Sequence, residues 1–296
     1  MVDYQVTTSP SIKDIIGKWE ILTFPNLRKK AQKHQLKEPL ISVLAIKEKQ
    51  LVGLLLVEAK PEHQAATIIS FLVIPPERNK GIGTHLLQLL DRGLLEKGYN
   101  RVDVVYQSNW KSRKALEKLL KSQGWKDPQQ RMILSYAHCE NYSQAPWINY
   151  DQLPQPYKLF VWSQITAEER LQIQEKQNTG WYPPELDPFQ ESDKLMEDLS
   201  VGLKHKGEVI GWNMTHKISP DTLQRTCFFL DSNHRLHNLA LALSSRIIKL
   251  QMETDIPKAM FQISTTNQHM MAYFDRYLKD YQDTITEVFW ATKKIA

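Results

Sequence analysis

Cysteine is scarce in this chain, two residues of 296, Cys139 and Cys227. Two thiols cannot build a disulfide framework, and they fit a reducing compartment. Long apolar runs are missing too. The run Leu51-Val52-Gly53-Leu54-Leu55-Leu56-Val57 falls far short of the ~18 residues that a membrane-crossing helix needs, so no membrane partner is expected. Residues 1–4 hold no basic region leading into an apolar stretch, so no secretory signal is read there, and the expected location is cytoplasmic. Basic residues are scattered rather than clustered among aromatics, which argues against nucleic acid as a partner.

What is present is ordinary globular material: 42% hydrophobic and 24% charged residues, over a length that suits two domains. The charge is uneven. Residues 1–150 hold 22 basic and 14 acidic residues, net +8, and residues 151–296 hold 16 and 19, net −3. A basic first half suits an anionic ligand such as a nucleotide cofactor, although a solvated surface explains it equally well.

Residues 137–157 lack apolar periodicity and carry Pro146, Pro154 and Pro156, which is loop chemistry. The expected organisation is therefore a domain over 1–140, a linker over 141–157 and a second domain over 158–296. The first half reads as mixed α/β. Helical spacing covers 11–19 and 27–36. Apolar runs over 40–45 and 51–59 read as a hairpin, and the β-branched run 67–74 as a strand buried on both faces. A helix over 83–96 turns Leu86, Leu87, Leu90 and Leu94 inward. It is followed by a strand over 102–106, a helix over 112–123 and a closing strand over 132–136. The second half repeats this order loosely: strand 159–162, a capping box at Thr166-Ala167-Glu168-Glu169, hairpin strands 201–204 and 209–215, strand 227–230, helix 239–253, strand 259–264, helix 268–278 and a last strand over 285–292. One order of elements in two halves suggests an internal duplication.

The chemistry concentrates in Val73-Ile74-Pro75-Pro76-Glu77-Arg78-Asn79-Lys80-Gly81-Ile82-Gly83-Thr84. Here a buried strand runs into a glycine-containing loop that opens a helix. First-turn amides have no intrahelical partner, and the helix dipole adds positive potential, so a pyrophosphate fits. Glycine lets the phosphate approach the backbone and permits φ > 0, and Arg78 and Lys80 add charge. No Gly-Lys-Ser/Thr follows, so this is not a Walker loop; Leu86 stands where a dinucleotide fingerprint needs its third glycine. A loop whose glycines only make a tight turn is the other reading.

The pattern Val73-x-Pro75-x-x-Arg78-x-x-Gly81-x-Gly83 resembles the acetyl-CoA signature of the GNAT superfamily of N-acetyltransferases, and the order of elements over 1–136 is similar to that fold. The resemblance implies two GNAT-like acyl-CoA N-acyltransferase domains in tandem, an α/β fold with a mixed sheet, and acetyl-CoA as co-substrate. It implies that the main chain of Phe71, Leu72 and Val73 pairs with the pantetheine amides, and that Asn79, Lys80, Gly81, Ile82, Gly83 and Thr84 hold the pyrophosphate with Arg78 nearby. The arm would enter where strands 67–73 and 102–106 splay. Asn109 matches a frequent cofactor-contacting asparagine; a polar turn residue is the other reading. The Val73 amide would stabilise the oxyanion, and Glu58, or Glu62 and His63, would take the amine proton, although such residues are more often surface groups.

One departure stands out. Many family members carry a tyrosine about four residues before a Gly-Phe pair, as acid for the thiolate. The matching pair here is Gly124-Trp125, and Leu119 and Leu120 occupy the tyrosine's place. A thiolate of pKa near ~8.5 leaves adequately without an acid near neutral pH. The expected activity is acetyl transfer to a primary amine of a small molecule or peptide, by a monomer or homodimer. The alternatives are a non-catalytic acyl-CoA sensor or an interaction scaffold.

In the second half, the segment Phe228 to Ala240 takes the signature's place without a glycine, so this copy reads as degenerate. His234 and His237 lack a third ligand in sequence reach and read as loop histidines, so no metal site is expected. The loop Trp181-Tyr182-Pro183-Pro184-Glu185-Leu186-Asp187-Pro188-Phe189 reads as core packing or as lining for an acceptor pocket.

Overall fold

The computed structural model describes residues 1–8, 22–23, 27–29, 40–234 and 237–296. The expected helix over 11–19 lies outside the described residues, as does most of the one over 27–36. The chain first forms β1 (Val2–Thr8), β2 (Leu40–Lys47), β3 (Gln50–Lys60), β4 (Ala65–Val73), α1 (Ile82–Glu96), β5 (Arg101–Gln107) and α2 (Arg113–Ser122). It continues with β6 (Gln129–His138), β7 (Tyr157–Val161), α3 (Ala167–Gln177), β8 (Val201–His205), β9 (Glu208–Ser219) and β10 (Thr222–Leu230). The last elements are α4 (His237–Met252), β11 (Lys258–Ser264), α5 (Gln268–Tyr273), which runs into a wider π turn over Phe274–Leu278, and β12 (Thr284–Lys294).

Two compact units result: residues 1–131 with 287–296, and residues 132–286. They do not divide at the 141–157 segment, and the reason is visible in the strand pairing. The strand expected to close the second half, β12, instead pairs antiparallel with β5, from Val288↔Gln107 to Lys294↔Arg101. The strand expected to close the first half, β6, pairs antiparallel with β11, from Lys258↔His138 to Ser264↔Met132. A strand's apolar alternation fixes which face it buries and says nothing about which edge it joins.

The first unit orders its strands β1-β2-β3-β4-β5-β12, antiparallel except for the parallel pair β4–β5. Alternate residues of β2 and β3 feed two cores, which is why both strands read as continuous apolar runs. Ile41, Val43, Leu55 and Val57 face α1, with Leu86, Leu87, Leu90 and Leu94 of that helix fully buried against them. Leu40, Leu44, Leu54 and Leu56 face the other way, with Leu22 and Leu27. Ala291 and Ile295 complete the α1-side core, and Lys293 pairs with Asp91 of α1 at 2.6 Å.

The second unit repeats the plan as β7-β8-β9-β10-β11-β6, again with one parallel pair, β10–β11. The capping box is present: Glu169 N–H donates to Thr166 Oγ1 at 3.2 Å, and Thr166 N–H donates to Glu169 Oε2 at 3.0 Å. The aromatic loop packs as core, with Tyr182 buried against Trp212 and Phe229.

Candidate cofactor site in the first unit

In β4 a bulge falls at Ile69: Val57 opposes Ile68 and Leu56 opposes Ser70, leaving Ile69 unpaired. The β4–β5 ladder runs only from Ala65↔Arg101 to Ile68↔Val104. Beyond that pair the strands separate. Ile74 N–H donates back to Val52 O at 3.0 Å. By alternation Leu72 also faces β3, so the N–H groups of Phe71 and Val73 point into the opening.

Past β4, a 3₁₀ turn over Pro75–Glu77 leads into the loop. Glu77 accepts from Lys47 at 2.8 Å and from Lys80 at 3.2 Å. These hydrogen bonds hold its carboxyl below the usual range, and the Glu77 contact raises Lys47. Arg78 Nε donates to Val73 O at 2.9 Å, tying the loop back to the strand. Asn79 and Gly81 then take left-handed backbone at φ 61 and φ 82. The first helical bond of α1 runs from His85 N–H to Gly81 O at 3.1 Å, and no side chain caps the helix. Among the described residues, the main-chain N–H groups of Asn79, Lys80, Gly81, Ile82, Gly83 and Thr84 have no partner. Six successive free donors at the start of a 15-residue helix make a nest for an anion.

The two glycines do different work. Gly81 meets the φ > 0 requirement, and a Cβ there would make only an ordinary contact, 3.8 Å from His85 Nδ1. Gly83 is small for packing reasons, since a Cβ would stand 3.1 Å from Leu119 Cδ2 and 3.5 Å from Phe71 Cζ. The leucine in the tyrosine's place therefore seals the loop against β4.

Asn109 lies exposed in the turn after β5. It is five residues beyond Val104, as Val73 is five beyond Ile68, so both stand at the open end of the splay. Glu58 does not join them. It opposes Thr67, six residues before Val73, or about 20 Å along the strand. Glu62 and His63 are exposed in the turn that follows β3.

A cluster around Tyr106 carries no signal in the sequence. This buried tyrosine donates to Glu117 Oε1 at 2.9 Å, and Arg113 Nε donates to the same oxygen at 2.8 Å. Burial first, then Glu117, raises the phenol's pKa. Phe289 of β12 stacks on Tyr106 with centroids 5.8 Å apart and carries the Arg113 guanidinium 4.1 Å above its ring. Ser108 N–H donates to Glu287 O at 2.8 Å, and Glu287 N–H to Ser108 Oγ at 3.0 Å. Nothing in the sequence near Asn109 signals a wall supplied from residues 287–289.

A model of the acetyltransferase (GNAT) family matches residues 10–120, the segment that contains the splay, the loop and α2. Among solved structures, the chain is similar to a tandem GNAT protein from the clavulanic acid biosynthesis pathway, at 15% identity and TM-score 0.64 over 99% of both chains. It is similar to a GCN5-related N-acetyltransferase from Sphaerobacter thermophilus, at 14% identity and TM-score 0.61 over 99% of this chain and 96% of that one. It also resembles a glucosamine N-acetyltransferase region of a fungal multi-domain β-N-acetylglucosaminidase, at 12% identity and TM-score 0.65 over 98% of this chain and 38% of that one. No curated protein matches the sequence. The likeness over the full length makes the fold two GNAT domains in tandem.

The second GNAT domain keeps the splay and loses the nest. Its β10–β11 ladder stops at Arg225↔Phe261. Where the first domain offers free amides, Asp231 stands, its carboxylate accepting from Asn233 N–H at 2.8 Å and from the Trp181 indole N–H at 2.7 Å. Burial pushes that carboxyl's pKa up, but these two donors hold it below the usual value overall. A fixed carboxylate repels a pyrophosphate. His234 is no freer, for its Nδ1 lies 3.4 Å from the Tyr157 hydroxyl and its ring 4.5 Å from that of His205.

Proposed function

We propose that the first domain binds acetyl-CoA at residues 71–84 and that the protein transfers the acetyl group to a primary amine of a small molecule or peptide. The observation that carries this reading is the run of six unpartnered amides beside an unpaired strand edge. The nest takes the pyrophosphate, with Arg78 and Lys80 adding charge. The arm lies along β4 as an added strand and pairs with Phe71 and Val73.

The thioester is the far end of that arm, so it lies toward the vertex at Ile68 and Val104. Val73, next to the loop, and Glu58, beside the vertex, cannot both touch one carbonyl across about 20 Å. In this reading the Val73 amide grips the arm, with Asn109 at the same open end. The Phe71 amide lies two residues deeper and stabilises the oxyanion. Glu58 accepts the amine proton, directly or through water. The thiolate leaves without a protein acid: Leu119 and Leu120 have no proton to give, and the Tyr106 hydroxyl is buried and committed to Glu117.

A sealed leucine at the acid position also favours a second reading, a protein that binds acyl-CoA without turning it over. Calorimetry with acetyl-CoA and thiol release across an amine panel separate the two. Gly81→Trp should abolish cofactor binding in a folded protein; unchanged affinity there would remove the basis for both readings. Binding without thiol release for any amine would leave the sensor.

A further inference from the structure

We infer that the second domain holds a ligand site of its own, built around Arg225, for a short aliphatic carboxylate. A cavity of about 110 Å³ opens where β10 and β11 part, roofed by α4 and α5. That is several times the ~10–15 Å³ one water requires. It is far too confined for a nucleotide cofactor, and Asp231 stands where diphosphate would sit. The inference concerns the other half of the chain and does not depend on acetyl-CoA binding.

The cavity wall contains a guanidinium with no counter-ion among the described residues. Arg225 is 6% exposed. Its Nη1 donates to Thr215 Oγ1 and its Nη2 to Gln251 Oε1, both neutral groups. Gln251 is itself pinned, its amide donating to Ile256 O at 2.8 Å and Lys258 O at 3.0 Å. Among the described residues no carboxylate pairs with Arg225, and its Nε has no partner. Asn213, 4% exposed and on the same cavity wall, has an unpartnered Oδ1. Burial lowers the Arg225 pKa to about 10, so it remains a cation at neutral pH.

A buried charge without a partner is costly, and so is a buried amide with an idle end. A ligand that enters the cavity and supplies one negative charge relieves the first; the second, an acceptor oxygen, needs a proton that a carboxylate does not carry. Arg225 Nη1 and Nη2 each make one hydrogen bond and keep a second N–H for a charge-assisted bond to the ligand. Tyr273, whose hydroxyl donates to Ser244 Oγ at 2.8 Å, adds polar wall. The remaining walls include Phe228 and Phe261, which suit a short hydrocarbon tail. One positive charge matches a monoanion, and apolar walls disfavour inorganic phosphate, which carries acceptors on every side. Volume and polarity together select a carboxylate of a few carbons.

The test uses the full chain with formate, acetate, propionate and butyrate as probes, and with acetamide and inorganic phosphate as controls. Binding is read by ligand-observed NMR titration and by thermal shift. The expected result is saturable binding of at least one carboxylate, at least tenfold tighter than acetamide or phosphate. Arg225→Met should lose it by at least tenfold while acetyl-CoA affinity is unchanged; Gly81→Trp should leave it intact. Should Arg225→Met fail to fold, Met270→Trp, on the half-buried wall of the same cavity, narrows it and should weaken binding by at least threefold. Equal binding of acetamide, unaltered affinity in the folded variants, or no saturable signal from any carboxylate would leave a water-filled cavity and overturn the inference.

Discussion

Replacing Gly83 by alanine tests how the glycine loop is sealed. The new Cβ would stand 3.1 Å from Leu119 Cδ2, well inside the ~3.5–4.0 Å of a comfortable carbon contact. Overpacking of this kind costs about 1–3 kcal/mol. Against it, alanine in a helix gains about 1 kcal/mol over glycine. The single variant should therefore fall between neutral and about 2 kcal/mol less stable. Leu119→Ala alone should cost about 1–2 kcal/mol as half-buried apolar surface is lost. In the double variant the clash is gone and only the helical gain of Gly83→Ala remains. The two changes should thus couple favourably by about 1–3 kcal/mol, above the ~0.5 kcal/mol within which independent sites add. For a unit of this size 1 kcal/mol moves Tm by about 2–4 °C, so thermal unfolding of the four proteins resolves the cycle. Acetyl-CoA titration of the same set reports whether sealing and cofactor affinity move together. Simple additivity, or a stabilising Gly83→Ala, would refute the packing argument for this glycine.

Two further outcomes are expected. Glu77 is lowered and Lys47 raised by their contact, so the stabilisation is full above the unfolded carboxylate value of ~4.3 and below the unfolded ammonium value of ~10.4. It fades as pH falls through the depressed Glu77 value or rises through the elevated Lys47 value. Glu77→Gln should therefore differ from the parent near pH 7 and converge with it in acid, as read from urea midpoints across pH; a constant offset down to pH 2 would contradict the assignment. Tyr106→Phe removes one bond to Glu117 but leaves Arg113 in place, so it should cost about 1 kcal/mol by denaturant unfolding. A loss above ~3 kcal/mol would show that Glu117 is not satisfied by the arginine alone.

Much of the fold was legible because it rests on local signals. The leucines of α1 recur at helical spacing, and all four are buried as expected. The capping box at Thr166 forms with both of its hydrogen bonds. The runs read as a hairpin form one, β2 pairing antiparallel with β3, whereas the run over 67–74, expected to be buried on both faces, is only half-buried from Phe71 onward, where β5 has parted from it. The glycine loop was legible as a strand-to-helix turn with free first-turn amides, since strand, proline and glycine succeed one another in the sequence. What was hidden is non-local. Apolar alternation could not say that β12 joins β5 and β6 joins β11. The Tyr106–Glu117–Arg113–Phe289 cluster spans 184 positions, and each member alone looks like an ordinary core or surface residue. Gly83 was legible as a glycine needed in the loop, but its reason, the methyl of Leu119 on a different helix, was not. The buried cation of the second domain announced itself in no motif, because an arginine in a strand is unremarkable until its neighbours prove to be neutral.

The pairing of β12 with β5 has a consequence for synthesis. A ribosome delivers residues 1–131 long before residues 287–296. Until those ten emerge, the nascent first domain has an open strand edge at β5 and an uncovered Tyr106. Its maturation is thus tied to translation of the second domain, and a chain released early would expose a sticky edge beside the β4–β5 splay.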